Sequence, residues 1–199
     1  MRLNLGCGKD IRKGYENIDF LDIPGATRID LSKFPWPFKD GSADEIMMLD
    51  FLEHFPYSKT NTILHECWRV LKPQGKLIVQ VPDLEHCARA AAFLSPFMCN
   101  RCGWEFPTND FRANFFMCGN CGTSWTNIAQ DAVHRLYGGQ DVEGNWHYTA
   151  FSSLLLNRTL QMCGFTSINT IEKLDNGETH WQNWNVRMEA TKDGNLWGE

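Results

Sequence analysis

The chain lacks any run of apolar residues near the ~20 that a membrane-spanning helix requires. Its opening, MRLNLGCGKD, lacks the long apolar stretch of a secretory signal, so the expected location is cytoplasmic. Basic residues are also in short supply. Nineteen Lys and Arg stand against 24 Asp and Glu, a net charge of -5, which gives no global attraction to a phosphate backbone. Nucleic acid is therefore disfavoured as a partner, and a local basic patch is the one route left to it. Internal repeats and low-complexity tracts are absent as well, which excludes solenoids and disordered linkers. Nor do the eight cysteines form a disulfide framework. Cys7, Cys67, Cys87 and Cys163 are scattered through apolar or helical patterns, and the remaining four form two tight pairs.

What is present suits a single α/β domain with a small inserted module. At 199 residues, 43% hydrophobic and 22% charged, the chain can bury a core but has no room for a second full domain. Periodicity predicts strands over Arg2–Leu5, Glu16–Asp19, Thr27–Asp30, Glu45–Leu49 and Lys76–Val81. An amphipathic helix is expected over Tyr57–Leu71, stopped by Pro73-Gln74-Gly75. KLIVQV is nearly continuously apolar, as a strand covered on both faces requires. Strands alternating with helices imply a mostly parallel sheet with helices on both faces. Further helices are expected from Pro82 to Leu94, Asn127 to Leu136 and Ala150 to Cys163, the last with Thr149 as N-cap. Phe165–Ile171 and Trp184–Ala190 read as closing strands, an antiparallel hairpin at the sheet edge. The organisation is thus 1–96 and 127–191 for the α/β domain, 97–126 for the insertion, and 192–199 for a tail.

The sharpest local feature is LNLGCGKD, in which a short apolar strand opens onto Gly6-Cys7-Gly8. Glycines there allow a tight turn and the close approach of a ligand across the strand's carboxyl end. Alone, such a turn serves plain strand-to-helix connections equally well. Its context is more specific, because the next strand ends in Asp19, suited to accepting from a ribose diol, and the third ends in Asp30-Leu31. That last pair could touch the amino edge and the face of an adenine.

LNLGCG, NIDF, DLSKFPWPFKDGSADEIMMLDFLEHF and HECWRVLKPQGKLIVQVPD, in this order, resemble the successive motifs of class I S-adenosylmethionine-dependent methyltransferases. The resemblance is greatest to the small members that begin directly with the glycine strand. It covers residues 2–83 continuously and 138–172 more loosely. It implies a Rossmann-like α/β fold and S-adenosylmethionine as cofactor. Carried onto this chain, Gly6, Cys7 and Gly8 would line the methionine and ribose portion, Asp19 would bind the ribose hydroxyls, and Asp30 with Leu31 would meet the adenine. Leu49 and Asp50 would face the methionine end and the acceptor. Asn4 would belong to the cofactor side, although the family often has an acidic residue there. Asp10 replaces a common third glycine. Only Lys9–Tyr15 separates the glycine turn from the second strand, so the first helix is expected to shrink to a turn or two.

The cofactor's sulfonium makes its methyl electrophilic, leaving the protein to position an acceptor and, where needed, accept its proton. Asp50, His54 and His147 are the candidates for that work. His147 lies in YGGQDVEGNWHYTAF, Tyr137–Phe151, a glycine-rich connection of the kind that serves as a lid. Trp146 and Tyr148 beside it could stack on an acceptor or anchor the loop.

Cys99-Asn-Arg-Cys102-Gly and Cys118-Gly-Asn-Cys121-Gly are two C-x-x-C knuckles. Four thiolates at this spacing can close a tetrahedral structural zinc site, although iron could replace zinc. A four-cysteine site keeps no open position for catalysis. The expected function is methyl transfer to O or N of a small-molecule or glycan-type acceptor. Two alternatives stand beside it: a nucleic-acid or nucleotide methyltransferase that reads its substrate with the ribbon, and a non-catalytic cofactor-binding or assembly module.

Overall fold

A computed structural model describes residues 1–91, 97–98, 102, 105–106, 115–117, 119–122, 124–126, 128–141, 143–171 and 184–193. A seven-stranded sheet organises the molecule. Its strands are β1 (Arg2–Leu5), β2 (Glu16–Asp19), β3 (Thr27–Arg28), β4 (Ala43–Leu49), β5 (Leu71–Pro82), β6 (Phe165–Thr170) and β7 (Asn185–Lys192). Their spatial order is β3-β2-β1-β4-β5-β7-β6. The first five pair in parallel, and β7 runs antiparallel to both β5 and β6. This is the expected α/β architecture, with the closing hairpin at the sheet edge. Two short antiparallel hairpins lie apart from it, Phe97–Met98 with Glu105–Phe106 and Phe115–Met117 with Ser124–Thr126.

The alternation of each strand decides which face becomes the core. Leu3, Leu5, Ile18, Ile46, Met48, Leu77, Val79, Val81, Val186 and Met188 meet in one buried cluster. Helix α1 (Tyr57–Val70) lays Ile63, Leu64, Cys67 and Val70 on that cluster, a spacing of three and four that makes one stripe. Helix α4 (Ser153–Met162) adds Leu156 and Leu160 to the same cluster. Helices α2 (Leu84–Ala91) and α3 (Ile128–Tyr137) pack against each other. Arg69, in the last turn of α1, pins the segment after β3 by donating to the carbonyls of Trp36 and Phe38 and to the Asp40 carboxylate. Among the described residues no helix is long and apolar enough to cross a membrane.

Several boundaries differ from expectation for physical reasons. No helix forms between β1 and β2. Residues 6–15 are turns, in which Asn17 holds the chain by accepting from the Arg12 amide at 2.9 Å and donating to its carbonyl. β3 stops at Arg28, because Asp30 turns the chain by accepting from the amide and hydroxyl of Ser32. β5 begins at Leu71, five residues before the expected Lys76, since α1 runs directly into it and Gln74 takes a left-handed turn at φ 64° within the strand. α2 begins at Leu84, and the stretch from 92 to 94 lies outside the described residues. The N-cap of α4 is Ser152, whose hydroxyl accepts from the Leu155 amide; Thr149 instead donates to the Phe55 carbonyl at 2.7 Å.

Phe151 is fully buried and ties the start of α4 to the end of β5, its backbone bridging Asp83 and accepting from the Leu84 amide at 2.9 Å. Phe151→Ala is expected to cost ~3–5 kcal/mol in a denaturant melt. Leu154→Ala, one turn away and 60% exposed, should stay within about 0.5 kcal/mol of the parent.

Candidate functional site

The carboxyl ends of β1, β2 and β4 open into a cavity of about 270 Å³. Gly6, Asp19, Phe20, Ile29, Asp30 and Leu31 line it together with Asp50, Phe51, His54, Phe55 and Gly144. Parallel strands bring successive ends to the same edge of the sheet, so residues far apart in sequence converge there. Gly6 turns at φ 64°, and a Cβ on it would run into the Phe51 ring. The Gly8 amide donates to Asp19 at 2.8 Å and the Leu21 amide donates to its other oxygen at 3.0 Å. Buried at 7% exposure, Asp19 is thereby fixed at the cavity wall by two backbone donors.

Asp30 sits on the rim, where the Ser32 hydroxyl foremost, with its amide and Lys33, holds the carboxyl below the usual range. Leu31 is buried beneath it, and its carbonyl accepts from the Trp36 indole at 3.0 Å.

Asp50 follows β4 with a left-handed φ of 51°. Its carboxylate accepts from the Gln80 side-chain amide at 3.1 Å and from that of Asn185 at 2.8 Å. Gln80 is fully buried in β5, and its carbonyl in turn accepts from Arg187 of β7 at 2.8 and 2.5 Å. A polar line therefore runs from β7 through β5 to the cavity.

Beyond Asp50 comes a short 3₁₀ turn, Leu52–His54. The loop before α4 docks on it: the amides of Tyr148 and Thr149 both donate to the Glu53 carbonyl. The rings of His54 and His147 meet edge to face with centroids 4.7 Å apart. Each ring uses Nδ1 against a backbone carbonyl, His54 at Trp146 (3.1 Å) and His147 at Arg135 (2.7 Å). A carbonyl only accepts, so Nδ1 carries the hydrogen and Nε2 keeps its lone pair in the neutral ring. Burial, and then the neighbouring His54, push His147 down to about 4, so it is neutral at ordinary pH. Glu53 is fully buried, and burial, then the Asp50 charge, raise its carboxyl well above the usual range.

Of the residues singled out in the sequence, Gly6, Asp19, Asp30, Leu31, Asp50 and His54 line the cavity. His147 stands directly behind His54. Others stand elsewhere. Asn4 is buried and bonds to Asn17 and to the Asp10 carbonyl, which holds the turn after β1. The Cys7 thiol is buried, and that burial, with Asp19 nearby, pushes it up to about 11. Gly8 contributes through its amide to Asp19, and Leu49 packs with Met47 and Ile78. Cys102 is exposed and Cys121 half-buried, while Cys99 and Cys118 lie outside the described residues. Trp146 and Tyr148 are exposed. Sequence reasoning missed Phe20, Phe51, Glu53, Gln80, Asn185 and Arg187. Phe20, exposed at a strand end, and Glu53, beside His54 in a single LEH triplet, were the detectable ones.

Residues 21–79 match the family model described as a methyltransferase domain. No curated protein sequence matches the chain. Among solved structures, a SAM-dependent methyltransferase from Archaeoglobus fulgidus is 11% identical with a TM-score of 0.55, over 96% of this chain and 85% of that one. A SAM-dependent methyltransferase from Methanosarcina mazei is 19% identical with a TM-score of 0.52, over 96% and 92%. The 1,6-didemethyltoxoflavin-N1-methyltransferase of Burkholderia thailandensis, solved with its substrate and S-adenosylhomocysteine, is 12% identical with a TM-score of 0.53, over 96% and 70%. At these identities the likeness is one of fold. The chain has the fold of S-adenosylmethionine-dependent methyltransferases, and together with the matched domain this supports an enzyme of that class.

The Gly6 turn and the Phe51 ring are coupled by contact, which a thermodynamic cycle can measure. Gly6→Ala should destabilise the protein by ~1–3 kcal/mol through the left-handed turn and the clash. The penalty should shrink in a Phe51→Ala background; equal penalties in both backgrounds would place the ring elsewhere.

Proposed function

We propose that this protein transfers the methyl group of S-adenosylmethionine to an oxygen or nitrogen of a small-molecule or glycan-type acceptor. The observation that carries the reading is the cavity that Gly6, Asp19 and Leu31 line together with Asp50 and His54. The residues fit the cofactor. The absence of a Cβ on Gly6 leaves a cradle at the end of β1, Asp19 offers an immobilised carboxylate for a diol, and Ile29 with Leu31 offer an apolar surface for a purine. When bound there, the cofactor supplies an electrophilic methyl on its sulfonium. Asp30, already engaged by Ser32 and Lys33, contributes at the rim.

The chain's own residues do the rest. Asp50, held by Gln80 and Asn185, orients the acceptor in the cavity. His54 presents an Nε2 lone pair that can take up the acceptor's proton, and His147 backs it. Gly144 and Phe20 bring the loop and the β2 end together, which screens the cavity from water. The net charge of -5 favours a small acceptor over a nucleic acid.

The insertion is assigned a structural zinc held by Cys99, Cys102, Cys118 and Cys121. In support, Met98 pairs with Glu105 and Met117 with Ser124, so each C-x-x-C falls in the connection of a hairpin, as knuckle ligands do.

Calorimetry with S-adenosylhomocysteine tests the cofactor assignment. The wild type should bind, and Asp19→Ala should weaken binding at least about tenfold, ~1.4 kcal/mol; equal affinities would remove Asp19 from the site. Elemental analysis should find zinc at about one per chain that is lost in Cys99→Ser.

A further inference from the structure

Glu53 stands beside the cavity in an environment that the methyl-transfer reading does not explain. Its side chain is fully buried, and among the described residues neither carboxyl oxygen has a hydrogen-bond partner. A buried carboxyl with both oxygens unsatisfied has lost its hydration with nothing in exchange. Its sequence neighbour His54 and the distant His147 stand beside it. One ligand atom from each of the three, a carboxylate oxygen and two ring nitrogens, lies within 4.8 Å of the other two.

We propose that Glu53, His54 and His147 form a binding site for a divalent first-row transition metal ion at the acceptor side of the cavity. Three features of the structure support it. The donor set is two imidazoles and one carboxylate, the combination that takes Mn²⁺, Fe²⁺ or Zn²⁺ and leaves open coordination positions for a small ligand. Each histidine already donates Nδ1–H to a backbone carbonyl, Trp146 for His54 and Arg135 for His147. That outer contact fixes the tautomer with Nε2 available, as metal-bound histidines require. And the unpartnered Glu53 carboxyl gains from a cation the compensation that no protein group gives it.

The elements that make the triad are the same ones that make the wall. Glu53 and His54 ride on the 3₁₀ turn after β4, and His147 is brought to them by the loop whose Tyr148 and Thr149 amides grip the Glu53 carbonyl. His54 lies on the cavity surface, with His147 half-buried in ring contact behind it, so the triad meets the cavity at His54. A cation there takes the Nε2 lone pairs of His54 and His147, so with metal bound it replaces His54 in handling the acceptor's proton: it would bind an acceptor oxygen and stabilise its deprotonated form, the proton released to solvent. The inference rests on the proposed function for its use but not for its existence, and it narrows the acceptor atom from oxygen or nitrogen to oxygen. The site is separate from the cysteine knuckles, which favour soft ligands and a closed shell.

The test is equilibrium dialysis of the full chain against micromolar Mn²⁺, followed by elemental analysis of total bound Mn, Fe and Zn. Wild type and Cys99→Ser should each hold one ion that Glu53→Gln and His54→Ala lack, the affinity falling at least about tenfold in each variant. S-adenosylhomocysteine affinity of Glu53→Gln, read by calorimetry, should stay within about twofold of the wild type, since Glu53 is not on the cavity wall. His54 is half-exposed, so His54→Ala decides the matter if Glu53→Gln does not fold. Equal total metal in wild type and His54→Ala would overturn the proposal. Loss of S-adenosylhomocysteine binding by the wild type, with metal retained, would overturn the cofactor reading and leave this site standing.

Discussion

The contact between the Gly6 backbone and the Phe51 ring is the constraint on which the cavity depends. β1 and β4 are neighbours in the sheet, and both chains must leave it at the same edge within a few ångströms of each other. That is feasible only because one of them carries no side chain at the crossing and turns with a positive φ. The freed space is taken by Phe51, whose ring also packs edge-on against Phe55 with centroids 4.9 Å apart. The apolar wall and the open cradle therefore come from one steric decision.

The left-handed Asp50 beside Phe51 is a second departure from regular backbone, costing ~1–3 kcal/mol unless its surroundings impose it. They do so through Gln80 and Asn185. Gln80 is buried in an otherwise apolar run, residues 77–81 of β5, a placement tolerable only because both ends of its amide are used, one on Asp50 and one on Arg187. Three strands thus contribute one polar thread, and its terminus is a carboxylate facing the cavity. Replacing the thread with apolar side chains would preserve the sheet and lose the placement of Asp50.

Much of this was legible in the residues. The order of strand ends, Gly6-Cys7-Gly8, then Asp19, then Asp30-Leu31, then Asp50, sufficed to bring five of the singled-out residues to one cavity, and His54 in the turn after β4 makes a sixth. The mostly parallel sheet and its closing hairpin followed from apolar runs and alternation. What escaped was anything decided by a partner not adjacent in sequence. Gln80 read as an exception inside KLIVQV, because the amide donors and acceptors that satisfy it come from β4 and β7. Thr149 and Ser152 are equivalent caps by composition, and only the Phe55 carbonyl, claiming Thr149, decides between them. The missing helix after β1 is replaced by the bonds of Asn4 and Asn17, which resemble ordinary strand polar residues until the turn they hold is seen.

The same reasoning bears on the loop before α4, expected from its glycines to be a lid. Its amides at 148 and 149, the Thr149 hydroxyl and the Trp146 carbonyl all bond to the turn after β4, and Asn145 closes the loop on itself through Gln140. Opening it as a unit would break those contacts and separate His147 from His54, dismantling the acceptor side along with the cover. Local rearrangement at the tip, around Gly144 against the exposed Phe20 ring, breaks none of them. Access for an acceptor is therefore cheapest at the Phe20–Gly144 edge, while the two histidines stay in register with Glu53.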